Sequence, residues 1–337
     1  MSPQFVDFDA DGKLDIVAGI FDGSPHLVRG SAQGWQAPEQ ILDRNGARIV
    51  FNQFWNFDTK KWDSTHAHDA PGHQREGHLT SAVAFDWDGD GDLDLLLGDH
   101  STGRVFLRRN EGSATQPRFA TVNEPVLANG KPIDVPGTVA TLRLVDWNHD
   151  GLLDLAAGGM GDVYGQNPGG GVCIFLNVGS KTRTSYAAPV TLLEPSQKGA
   201  HEPTRPDSGL YIDFGDLDAD GDLDLIVGGY SHWTPVPREL SADEKQRATE
   251  LEAQIAAADK DYQALFEPIN KAIEGLEGEA QEKKYTELYA AQKDAFAAVG
   301  KRRQALQTEL ESLIPAPKRE SFVWFYEHLA GKAAPAK

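Results

Sequence analysis

The stretch Asp7-Phe8-Asp9-Ala10-Asp11-Gly12-Lys13-Leu14-Asp15 recurs three more times in this chain, at residues 86–94, 146–154 and 216–224. Each copy sets side-chain oxygens at positions 1, 3, 5 and 9 around a glycine at position 6, the pattern with which a loop wraps a hard cation. Two carboxylates about 5 Å apart repel by roughly 3 kcal/mol at an effective dielectric near 20. A loop that folds four of them onto one point therefore requires a cation, or it opens or takes up protons. The candidate ligands are Asp7, Asp9, Asp11 and Asp15; Asp86, Asp88, Asp90 and Asp94; Asp146, Asn148, Asp150 and Asp154; and Asp216, Asp218, Asp220 and Asp224. At position 7 stand Lys13, Asp92, Leu152 and Asp222, whose shared contribution is a backbone carbonyl. No His or Cys takes part, and six or seven hard oxygens on a flexible loop suit Ca2+ better than the small octahedral magnesium ion. The expected cofactor is about four calcium ions.

The residues after each loop decide the fold. Leu14-Asp15-Ile16-Val17-Ala18-Gly19 and its counterparts at 93–98, 153–158 and 223–228 are short apolar runs ended by glycine, which read as buried strands. A helix-flanked EF-hand needs a bidentate Glu at position 12, and Ala18, Leu97, Ala157 and Val227 occupy that position. Third strands are expected at 25–30, 103–112 and 171–179, and fourth strands at 37–42, 117–120 and 188–192. Successive loops begin 79, 60 and 70 residues apart. Four short strands per repeat, in modules too small to bury their own faces, predict an all-β chain of four four-stranded propeller blades, either a whole ring or part of a larger one.

The phrase Asp-x-Asp-x-Asp-Gly-x-x-Asp-Leu followed by an apolar strand resembles the FG-GAP or VCBS repeat of integrin α-chain propellers and many secreted bacterial proteins. The likeness covers residues 1 to about 235 and a short piece near 320–331. It implies that the loop joins the first two strands of a blade and binds calcium. It fixes no single biochemical role.

With 32 Lys+Arg against 51 Asp+Glu, the formal charge is −19. That surface repels nucleic acid, and no basic, aromatic-interleaved stripe offsets it. One cysteine excludes an internal disulfide, and Cys173 reads as a small buried hydrophobe. No stretch reaches transmembrane length. Met1 stands six residues before the first ligand, and the last repeat (strands near 210–214, 223–228 and 320–331) lacks a fourth strand. We therefore expect the natural N-terminus to carry a secretion signal and a ring-closing strand missing from this chain.

The domain reading is propeller at 1–236, a helical insertion at 239–315, a returning strand at 319–331 and a tail at 332–337. In the insertion, Ser241-Ala-Asp-Glu244 forms a capping-box start. Leu251, Ile255, Ala258, Tyr262, Leu265, Ile269 and Ala272 make one seam, with a kink or restart expected at Pro268. Gly275 and Gly278 favour a reversal, and Tyr285, Leu288 or Tyr289, Phe296, Val299, Leu306, Leu310 and Leu313 supply a second seam. The expectation is an antiparallel coiled-coil hairpin that either satisfies itself or docks a partner.

Residues 49–78 add Phe51, Phe54, Trp55, Phe57 and Trp62, then His66, His68, His73 and His78. The plain reading is a long loop fastened by its aromatics, with the histidines as exposed polar filler. The sharper ones are a sugar-stacking platform or a transition-metal site. Two function classes follow. One is a non-catalytic, calcium-stabilised extracellular, cell-surface or periplasmic module that recognises a protein or glycan on its propeller face or hairpin. The alternative is a lyase-like polysaccharide enzyme, with His66, His68, His73, Arg75 and His78 as its candidates. Oligomeric state is not legible.

Overall fold

The computed structural model describes residues 3–65, 77–161, 169–196, 202 and 204–329. These residues are mostly β, built of several small sheets, with three helices among them. It divides into two compact units, Met1–Trp233 with Arg319–Lys337, and Thr234–Lys318.

In the first unit three sheets have four strands each, laid side by side in chain order. The first comprises Gln4–Val6, Asp15–Gly19, Pro25–Val28 and Glu39–Gln40. The second comprises Leu79–Phe85, Asp94–Asp99, Val105–Arg108 and Glu124–Pro125. The third comprises Val139–Val145, Asp154–Gly159, Val172–Phe175 and Val190–Leu193. The fourth has three strands, Ser208–Gly215, Asp224–Trp233 and Lys318–Tyr326. Pairing is antiparallel throughout the first three sheets and between the first two strands of the fourth.

Packing between sheets explains why the second strands are continuous apolar runs. Leu95 and Leu97 point into a core shared with Val17 and Leu27 of the first sheet, while Leu96 points into a core with Leu142 and Leu155 of the third. Ala156 in turn faces Leu210 and Val227 of the fourth. A strand buried on both faces has no polar alternation to show. The strand Asp15–Gly19 has a neighbour on one side, and its burial alternates accordingly.

Two expectations need correction. Gly98, Gly158 and Gly228 are not strand stops, because the second strands of the second, third and fourth sheets run past them, whereas Gly19 does end its strand. Gly19 and Gly158 stand against a neighbouring backbone, a would-be Cβ lying 2.7 Å from Ser81 N and 2.1 Å from the Leu210 carbonyl oxygen, and a Cβ on Gly98 would lie 2.5 Å from the side-chain Cγ1 of Val139. The fourth strand of the second sheet is Glu124–Pro125 rather than 117–120. Phe119 instead bridges to Asn110 and fills the core between the first two sheets.

The second unit contains α1 (Ala242–Ile273), α2 (Gly278–Ala291) and α3 (Lys293–Leu313). The capping box at the start of α1 is formed: the Glu244 N–H donates to Ser241 Oγ at 3.2 Å and the Ser241 N–H to Glu244 Oε2 at 2.9 Å. Arg247 meets Glu309, Arg302 meets Asp261, and Tyr262 meets Phe296, so α1 and α3 run antiparallel. Pro268 neither ends nor restarts α1. Phe266 against Phe296 (4.8 Å between centroids) and buried Ile269 flank it, and their packing outweighs the one hydrogen bond it removes. The break falls in the other arm, at Gln292, where Tyr289 stacks on Phe296 at 4.8 Å. Of the residues expected in that arm's seam, Phe296 alone is buried. Exposed ion pairs contribute little, so this one ring carries much of the packing. Phe296→Ala should cost about 3 kcal/mol or more, read as an early loss of the 222 nm helical signal while the β signal persists.

Candidate metal centre

All four acidic phrases lie between the first and second strands of their sheets. Each is shaped by its own carboxylates. The position 1 aspartate accepts the position 6 N–H: Gly12 to Asp7 at 3.0 Å, Gly91 to Asp86 at 3.1 Å, Gly151 to Asp146 at 3.0 Å and Gly221 to Asp216 at 3.2 Å. The position 5 aspartate accepts the position 7 N–H at 2.9 to 3.1 Å in every copy. Position 6 has φ between 83° and 98° with nothing near a would-be Cβ, so backbone conformation alone calls for glycine. Position 4 is left-handed too, and there Ala10, His149 and Ala219 carry side chains.

The position 9 aspartate has a role that the ligand reading missed. One oxygen accepts from position 2 of its own loop: Phe8 to Asp15, Trp87 to Asp94, Trp147 to Asp154 and Leu217 to Asp224, at 3.0 to 3.1 Å. The other accepts a backbone N–H just past the third strand: Gly30 at 2.8 Å, Asn110 at 2.7 Å, Asn177 at 2.7 Å and His328 at 3.0 Å. The signal was present in the sequence as Asn110-Glu-Gly and Asn177-Val-Gly, the same turn at the same place in two repeats.

Position 2 was also passed over. Phe8 packs on Phe119, Trp87 on Tyr186 and Trp147 on His328, at 6.2, 6.0 and 4.2 Å. Each aromatic reaches residues that follow the third strand of the next sheet. Leu217, the last in the series, is exposed.

Three loops bring carboxylate oxygens within 4.8 Å of one another: Asp7, Asp9 and Asp15; Asp86, Asp88 and Asp90; and Asp216, Asp218 and Asp224. Among the described residues the third loop forms no such trio, and Asn148 Nδ2 donates to Asp150 Oδ2 at 3.0 Å. Asp9 Oδ1, at a candidate ligand position, is buried without a hydrogen-bond partner, as are Asp92 Oδ1 and Asp222 Oδ1 at position 7. Basic side chains offset part of the charge. Lys13 sits on Asp11 and lowers its pKa, Arg29 sits on Asp9, and Arg109 lies 3.0 Å from Asp88. Burial pushes both Asp92 and Asp94 up to about 6, with the neighbouring loop carboxylates adding to the shift. Burial likewise raises Asp154, Asp218 and Asp222.

The 49–78 insertion contains the hairpin Gln53–Asn56 with Lys61–Ser64. Its aromatics fasten it: the Trp55 N–H donates to the Asp22 carbonyl at 2.8 Å, Trp62 meets Phe21 edge-on at 5.3 Å, and the Arg48 guanidinium lies over Phe54 and Phe57. His66, His68, His73 and Arg75 lie outside the described residues. His78 is not exposed filler. It is half-buried beside Trp62 and His100, and desolvation, then His100, pushes its pKa down to about 4, so it is neutral. Cys173 is buried, and its thiol is pushed up to about 12.

Two measurements follow. With chelator present, Asp154→Ala should lower stability by about 3 kcal/mol, because it strands the Trp147 and Asn177 N–H groups at a roughly 1–3 kcal/mol cost each; an unchanged denaturation midpoint refutes the structural role. The raised carboxyls of Asp92 and Asp94 favour the protonated folded state, so their stabilisation is present at low pH and is lost as pH rises through about 6. Metal-free protein should therefore melt higher at pH 5 than at pH 7, and Asp92→Asn should shrink that difference.

Among the described residues no helix is long and apolar enough to cross a membrane. No curated protein matches the chain. The profile of the FG-GAP-like repeat matches residues 86–157, from the first aspartate of the second loop through most of the second strand of the third sheet. This segment carries an FG-GAP-like repeat, a type that suggests a β-propeller-like binding module.

Proposed function

We propose that the protein is a calcium-stabilised, non-catalytic binding module whose four sheets act as propeller blades and which recognises a protein or glycan outside the cytosol. The observation that carries the reading is the repeated loop itself: trios of carboxylate oxygens within 4.8 Å of one another, beside buried oxygens that have no partner. Asp7, Asp9, Asp11 and Asp15 hold the first ion with the Lys13 carbonyl. The sets 86–94, 146–154 and 216–224 hold the others in the same way, Asn148 replacing one charge. A bound divalent ion supplies the positive charge that lets these carboxylates stay ionised while folded together. Four such ions bring the formal charge from −19 to about −11. Loops of micromolar to millimolar affinity fill outside the cytosol, and the FG-GAP-like repeat is commonly extracellular.

Each ion at ten times its dissociation constant adds about 1.4 kcal/mol. Calcium should therefore raise the melting temperature in a saturable way, and calorimetry should resolve several sites. A melting curve that is the same in calcium and in chelator sinks the proposal.

A further inference from the structure

Two residues before each third-strand N–H that the position 9 aspartates hold, the four sheets carry Val28, Arg108, Phe175 and Tyr326. Arg108 is the one cation in this series, and it is 4 % exposed. Its neighbour Arg109 points the other way, to Asp88 and Glu124. Arg108 Nη1 donates to the Ala120 carbonyl at 2.7 Å, whereas Nε is buried with no partner. No carboxylate lies within ion-pair distance of it among the described residues. Asp43, whose charge acts on Arg108 without an ion pair, accepts the N–H groups of Asn45 and Ala47 on Oδ1. A buried guanidinium left this way calls for an anion.

Space for one adjoins it. A cavity of about 550 Å3 is lined by Arg108, Asn123, Asp43 and Arg48, with the Phe51–Phe106 pair, 4.9 Å between centroids, also in its wall. This falls within the roughly 300–1,000 Å3 range of small-molecule sites. Asn123 Nδ2 donates to the Val50 carbonyl at 3.1 Å, which orients the amide, and its Oδ1 is buried and unpartnered, ready to accept from a ligand hydroxyl. Arg48 is already engaged with Asp22 at 3.2 Å and adds positive field rather than a free fork.

We propose that this cavity binds a hydroxylated carboxylate, either a free hydroxy acid or the acidic residue of a saccharide, with the carboxylate on Arg108, a hydroxyl on Asn123 and the carbon skeleton against Phe51 and Phe106. The site contains none of the acidic loop residues, so it stands or falls separately from the cation reading.

The test uses the full chain in calcium, titrated by calorimetry with methyl β-D-glucuronide and with lactate, and with methyl β-D-glucoside as the control lacking a carboxylate. At least one of the two acids should bind one site saturably, and tenfold or more tighter than the glucoside. A tighter glucuronide assigns an acidic saccharide, and a tighter lactate a free hydroxy acid. Arg108→Met should weaken the binding at least tenfold. Asn123→Asp, which replaces the amide by a second anion, gives an independent variant and should also weaken binding. Saturable binding by neither acid, or equal affinity in Arg108→Met, overturns the site even where the calcium response holds.

Discussion

The buried position 9 aspartate is the interaction on which the β unit depends. Its two oxygens tie the acidic loop to itself and to the end of the third strand, through bonds that recur in all four sheets. Hydrogen bonds to a charged group contribute about 1.5–3 kcal/mol each, so each loop is fastened as firmly as a strand. The cation-facing oxygens at positions 1, 3 and 5 therefore sit on a frame that the sheet sets. Asp15 and Asp224 belong to both systems, holding the frame and joining the oxygen trios.

A second constraint links one sheet to the next. The next sheet leaves no room for a side chain at Gly98, which faces the Val139 side chain, or at Gly158, which faces the Leu210 backbone, while the loop ends are spaced by aromatics reaching forward from position 2. Close approach at one end and bulky spacers at the other set neighbouring sheets at a fixed splay, with a separate apolar core in each gap. Arg108 lies where that regularity fails, in the gap between the first and second sheets.

The parts legible in the sequence were those with a dense local code. The nine-residue phrase and the apolar runs behind it located the loops and second strands, and Ser241 with Glu244 marked the start of α1. What escaped was set by partners distant in the chain. Glu124–Pro125 is a two-residue polar strand with no pattern to read, whereas Phe119 looked like strand and serves as core. Nothing local in Arg108-Arg109 tells that Arg108, at the end of its strand, is buried while Arg109 just beyond it reaches Asp88 and Glu124. The half-buried, neutral state of His78 depends on Trp62 and His100, which no spacing rule connects. At Pro268 the expectation was a kink or a restart, and α1 does not restart there, Phe266 packing on Phe296 of the facing helix.

The fourth sheet completes its frame across a gap of 104 residues, Asp224 accepting from His328. Closing a flexible loop costs entropy that grows with the logarithm of its length, and contacts so far apart in sequence form slowly. An antiparallel helical pair that collapses on its own draws its two ends toward each other and shortens the effective tether. The frame of the fourth loop thus spans the longest closure of the four, 104 residues against 15, 16 and 23.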